Sequence, residues 1–339
     1  MTGAGPPAAP GPQRRPVRDR LVDGLVDLEY AAAWRLVRAV PPAVGRRAFD
    51  LGADLAARRA GPGARRLRAN LARVVPQASP AELDALVRAG LRSYARYWYE
   101  AFRLPVADPV AVHAGTAATG TGPFEQAVGE GRGVVFALAH TGNWDAAGVW
   151  LVEELRRLGH EPTFTTVAQR LRPESVYRRF VAYREALGFE VVAAEDGSRA
   201  HRALTGRLRR GGVVCLLAER DFTATGVEVD FFGEPARFPA GPARLAALTG
   251  ALLVPVFAGF TPGGWTLELA DPVPVGGRAG IGRVLQDQAD ALAAMIRRRP
   301  QDWHALQPVW TADRAPDPAP DRAPDPAPGR AADPAVTPR

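Results

Sequence analysis

The stretch Gly133-Val134-Val135-Phe136-Ala137-Leu138-Ala139-His140-Thr141-Gly142-Asn143-Trp144-Asp145 changes character twice. Its apolar run has strand length and is bounded by Gly and His. That pattern reads as a strand buried on both faces. Thr141-Gly142-Asn143 then turns the chain, and a helix is predicted over 143–158. Strand, tight turn and helix is the repeating unit of a parallel sheet.

The alternation continues outward. Strands are predicted at 163–167, 189–193, 212–218, 227–232, 252–260 and 265–270. Helices are predicted at 174–187, 197–209, 240–249 and 281–298. The expected fold is therefore α/β, a central mostly parallel sheet flanked by helices. Upstream the pattern is helical, over 21–40, 44–59, 64–74 and 80–103. Ser79 stands three residues before Glu82, the spacing of a capping box. Residues 20–311 are read as one domain. Its 20–120 part is mainly helical and membrane-facing, and 121–311 is the α/β core. Residues 1–19 read as a disordered leader and 312–339 as a Pro-rich disordered tail, with a tandem repeat at 313–320 and 321–328.

The 339 residues carry a formal net charge of +7, and every basic side chain among them other than His is arginine. A basic balance suggests a polyanionic partner, be it a nucleic acid, an anionic membrane or a phosphorylated co-substrate. No helix-turn-helix, zinc-finger or RNA-recognition signature appears, which leaves nucleic acid the least supported. The single cysteine, Cys215, lies in an apolar strand, and the histidines lack ligand spacing, so no metal is expected. No apolar stretch is long enough for a spanning helix, and no signal peptide is read. Tyr30 and Trp34 lie beside arginines on the 21–40 helix. That helix suits a lipid headgroup interface or ordinary packing on its own domain. The aromatic cluster Tyr94, Tyr97, Trp98, Tyr99 and Phe102 reads first as core and otherwise as a lipid-facing surface.

Ligands of open α/β sheets gather at the carboxyl ends of the strands. His140 lies at such an end, and Asp145 falls in the first turn of the next helix. The carboxylate can accept one ring N–H across the turn and leave the other nitrogen to deprotonate a hydroxyl. The alternative is a satisfied core histidine and an aspartate favoured by the helix dipole. Glu219-Arg220-Asp221 follows another strand. Glu219 there could contact His140 or the substrate, or be a solvated charge. Arg170, Arg172, Arg178, Arg179 and Arg184 cluster within and beside one predicted helix, either to bind phosphates or as a solvated face. Backbone N–H groups near Gly142 and Asn143 are candidate stabilisers of an oxyanion.

Leu138-Ala139-His140-Thr141-Gly142-Asn143-Trp144-Asp145 resembles the signature of bacterial lipid acyltransferases. Their branches include lipid A lauroyl/myristoyl and phosphatidylinositol mannoside acyltransferases. The blocks 169–174, 183–190 and 217–221 resemble the mannoside branch, which carries Asp where the lipid A branch typically has Glu. The resemblance covers about 20–311. It implies acyl transfer from acyl-CoA to a mannose hydroxyl at the cytoplasmic face of the plasma membrane, by a peripheral protein without cofactor. It also implies His140 as general base, Asp145 as its orienting partner and Glu219 as a third member that helps to hold the base or the sugar. Arg170, Arg184, Arg220 and Asn143 would bind substrate. Other acceptors, such as a lipid A precursor, and a non-catalytic basic lipid- or nucleic-acid-binding protein remain alternatives.

Overall fold

The structure, a computed structural model, describes residues 35, 37–170, 174–221, 225–276 and 280–314. The expected leader, residues 21–34 and 36 of the expected 21–40 helix, most of the expected tail and Arg172 lie outside them.

Among the described residues, a helical turn at 37–39 is followed by three helices, α1 (Pro42–Arg59), α2 (Pro62–Val74) and α3 (Pro80–Arg103). Each starts on a proline, whose missing N–H costs nothing in a first turn. The capping box forms as read: Ser79 N–H donates to Glu82 Oε2 at 2.8 Å, and Glu82 N–H to Ser79 Oγ at 3.3 Å. Leu67, Leu71, Leu83, Val87 and Leu91 make the core between these helices.

The chain continues through α4 (Pro109–Ala114), β1 (Thr116–Thr119), α5 (Gly122–Gly129), β2 (Val134–Leu138), α6 (Trp144–Arg157), β3 (Phe164–Ala168), α7 (Glu174–Ala186) and β4 (Phe189–Ala193). Then come α8 (Ser198–Arg209), β5 (Val213–Leu217), the hairpin β6 (Val227–Phe231) and β7 (Glu234–Phe238), α9 (Gly241–Thr249), β8 (Leu252–Phe260), β9 (Trp265–Leu269) and α10 (Ile281–Arg298). The main sheet has the order β1-β9-β8-β2-β5-β3-β4. It is parallel from β8 to β4, and β9 turns antiparallel against β8. The α/β class with a helical N-terminal region is thus observed.

β2 is central and buried along its whole length. Val134, Phe136 and Leu138 face the core under α5 and α6, whereas Val135, Ala137 and Ala139 face the core under α8, α9 and α10. The period-2 alternation is there, but both faces are covered, so every position is apolar. Two strands escaped the sequence reading. β1 is an edge strand of Thr and Ala with alternating partial exposure, and β7 holds Pro235, which demotes a strand reading.

Candidate active site

β2 and β5 are adjacent and parallel, with Leu138 opposite Leu217. Two residues beyond each partner stand His140 and Glu219, at the same height above the sheet. His140 Nδ1 lies 2.6 Å from Glu219 Oε1. A carboxylate only accepts, so Nδ1 carries the proton and Nε2 presents its lone pair. Glu219 is fully buried while His140 is half-buried. Burial alone would raise the Glu219 pKa. The hydrogen bond from His140, its charge when it is protonated, and Arg220 at 3.7 Å bring it down to about 2.

Asp145 does not meet His140 by a hydrogen bond. It is 1% exposed, and its carboxylate accepts Arg184 Nε–H at 2.9 Å and the Tyr97 hydroxyl at 3.2 Å. The expected contact of Asp145 with His140 is thus not made, and the contact with His140 that the sequence left open for Glu219 is. The reason lies in the helix start. Asn143 caps α6 by accepting Ala146 N–H at 2.9 Å, and its amide donates to Glu100 Oε2 at 2.9 Å. Glu100 also accepts Trp265 Nε1–H at 2.7 Å and Arg96 Nε–H at 2.6 Å. These contacts fix the rotation of α6 and send Asp145 inward, to α3 and α7.

The other residues singled out in the sequence take different places. Asn143 uses both ends of its side chain within the protein, as cap and tether. Arg184 is buried, stacked 4.1 Å over Phe180. Burial opposes its charge, and Asp145 more than offsets this, so its pKa is raised. Arg170 stays exposed beside Glu174 at 3.6 Å and Asp196 at 3.4 Å. The Gly142 N–H expected to face an oxyanion donates instead to the Asp302 carbonyl at 2.8 Å. Gly142 itself is required. Its φ is +50°, and a Cβ there would stand 2.6 Å from the Ala258 carbonyl oxygen of β8.

Next to the dyad, between α6 and the sheet, lies an apolar cavity of about 60 Å³. Phe136, Leu138, Gly148, Phe189, Cys215 and Leu217 line it, with Asp145 and Arg184. Trp144 is also in its wall and sets its ring edge-on to His140, centroids 5.7 Å apart. Burial pushes the Cys215 thiol far up, so it serves as apolar lining. Sequence reasoning gave no role here to Tyr97, Glu100, Asp302 or His304. Apart from Arg96, four residues before Glu100, their side-chain hydrogen-bond partners are remote in sequence. Among the described residues, no group of three or more His, Cys, Asp or Glu side chains could hold a metal ion.

By family, the chain is a lipid acyltransferase: it belongs to the bacterial lipid A biosynthesis acyltransferases, whose family pattern matches residues 16–312. It is 50% identical over 291 residues to the phosphatidylinositol mannoside acyltransferase of Mycolicibacterium smegmatis, covering 85% of this chain and 92% of that one. It is 47% identical over 290 residues to the protein of the same name from Mycobacterium tuberculosis, covering 85% and 89%. The family resemblance read from the 138–145 signature holds.

Proposed function

We propose that this protein transfers a fatty acyl group from acyl-CoA to a mannose hydroxyl of a phosphatidylinositol mannoside, with His140 as general base. The observation that carries the chemistry is the 2.6 Å contact between His140 Nδ1 and Glu219. The names of the two relatives support the acceptor. Glu219 fixes the tautomer and stabilises the imidazolium as it forms, the part played by the carboxylate of a hydrolase triad. His140 Nε2 takes the hydroxyl proton while the oxygen attacks the thioester carbonyl. The tetrahedral oxyanion collapses, the carbon–sulfur bond breaks, and the imidazolium returns its proton to the CoA thiolate. The apolar cavity behind Trp144 suits a short part of the donor's acyl chain, its volume being too small for a whole one. The exposed Arg170 suits a phosphate of the donor, and Arg220, 3.7 Å from Glu219, adds positive charge beside the dyad.

The same reading puts the protein at the cytoplasmic face of the plasma membrane as a peripheral enzyme. Among the described residues no helix is long and apolar enough to cross a bilayer. α1 exposes Val44, Leu51 and Leu55 on one face at 100° per residue, flanked by exposed Arg47, Arg58 and Arg59. An apolar stripe edged by cations suits an anionic lipid surface.

The test is a mass-spectrometric transfer assay with acyl-CoA and purified mannolipid. His140→Ala, folded as the wild type, is expected to lose transfer by at least 100-fold. Wild-type transfer by that variant would overturn the base. Acylation of a lipid A precursor, with the mannolipid untouched, would overturn the acceptor.

A further inference from the structure

Asp302 joins three elements behind the His140 turn. Its backbone carbonyl accepts the Gly142 N–H at 2.8 Å. Its Oδ2 accepts the Phe260 N–H from the end of β8 at 3.1 Å, and its Oδ1 accepts the Ser93 hydroxyl of α3 at 2.8 Å. Two residues on, His304 N–H donates to the His140 carbonyl at 2.8 Å. Between them Trp303 pairs with Thr141 in an antiparallel bridge. Both sides of the turn are therefore clipped to the 302–304 segment, and Gly142 is pressed against β8 from the other side.

The side chains that hold this segment are themselves buried: Ser93, Asp302 and His304 are each less than 9% exposed. The Ser93 hydroxyl has one proton, and Asp302 Oδ1 receives it. The remaining neighbour of Ser93 Oγ is His304 Nε2 at 3.0 Å, which must then be the donor. A chain from His304 through Ser93 to Asp302 follows, each hydrogen bond pointing the same way. Burial, with the charge of Arg220 and that of His140 when it is protonated, holds the His304 pKa down at about 3, so the ring is neutral and carries a single proton. A buried network in which these donors and acceptors meet has one arrangement and resists sliding.

We propose that Asp302 and Ser93 are positioning residues for the acyl transfer: they lock the segment that holds the His140 carbonyl and the Gly142 amide, and so aim the His140 ring. The proposal rests on the reading of His140 as the base. Neither residue needs to touch substrate. A misplacement near 1 Å at a reacting group costs on the order of 100-fold in rate.

The experiment is a mutant cycle on the full chain, read by steady-state transfer from acyl-CoA and by thermal unfolding. Ser93→Ala and Asp302→Asn are each expected to lower kcat by roughly 10- to 100-fold, with KM for acyl-CoA within about twofold. In a His140→Ala background the same substitutions should change the residual rate less than twofold, because the group that they aim is gone. A merely structural role would lower the unfolding midpoint and leave kcat per folded molecule unchanged, and that result would overturn the proposal. So would equal losses in both backgrounds. Should Asp302→Asn fail to fold, Ser93→Ala carries the cycle alone. Wild-type transfer by His140→Ala would sink the base reading instead, a separate outcome.

Discussion

Leu138 and Leu217 are register partners on adjacent parallel strands, and this pairing sets His140 beside Glu219. A one-residue slip would turn every side chain of the strand to the opposite face. The dyad therefore depends on strand register as much as on its own two side chains.

Glu219→Gln keeps an acceptor for the His140 Nδ1–H but removes the charge that stabilises the imidazolium. We expect kcat to fall about 100-fold or more, with KM for acyl-CoA little changed. Steady-state kinetics of the purified variant check this, and an equal rise in KM at unchanged kcat would contradict it.

Asp145→Asn leaves the Arg184 guanidinium buried with a neutral partner. Breaking a buried ion pair from one side costs about 3–5 kcal/mol. Urea unfolding should show a loss of that order. The double substitution Asp145→Leu with Arg184→Met should recover much of it, since no charge is then stranded.

Gly148 backs the cavity, and a Cβ there would stand 2.4 Å from Phe189 Cζ. Gly148→Ala forces the Phe189 ring to shift within the cavity wall. If the acyl chain occupies this cavity, preference should move toward shorter chains. A series of acyl-CoAs in competition measures it, and an unchanged profile would place the chain elsewhere.

Stability should depend on pH through His304. Its ordinary value is 6.5, and burial lowers it to about 3 in the folded protein. Below 6.5 the unfolded chain binds a proton that the folded chain refuses, so stability falls as pH drops from 6.5 toward 3. Glu219 works lower: its value is depressed from 4.5 to about 2. Its contribution is complete above 4.5 and is lost as pH falls toward 2. Between pH 6 and 4.5 the wild type should therefore lose stability more steeply than His304→Gln, by up to about 1.4 kcal/mol per pH unit. Denaturant titrations at a series of pH values would show it, and parallel curves for the two proteins would refute it.

Membrane contact through α1 gives a last prediction. Leu51→Asp with Leu55→Asp should weaken flotation with anionic vesicles by tenfold or more and leave the fold intact, because both side chains are exposed. Binding of the wild type should fall as salt rises.

The local units were legible in the sequence because their causes are local. The apolar run 134–139 can only be a buried strand in an alternating chain, and Thr141-Gly142-Asn143 can turn it. Ser79 and Glu82 cap α3 within one helical turn. His140 was legible for the same reason: the end of that strand is where the turn begins. Its partner was legible only as one alternative among several, Glu219 at a second strand end being able to contact His140 or the substrate. Glu219 is 79 residues away, and only the β2–β5 register brings it to His140, whereas Asp145, five residues on, was the nearer candidate by spacing. The cap at Asn143 and its tether to Glu100 set the rotation of α6, and that rotation hands Asp145 to Arg184 and Tyr97. Asp302 and His304 reach the same turn only because the chain after α10 returns beside it. Sequence determines which segments can be strand, turn and helix. Register, helix rotation and chain return decide which side chains meet, since these depend on packing between segments that no local spacing encodes.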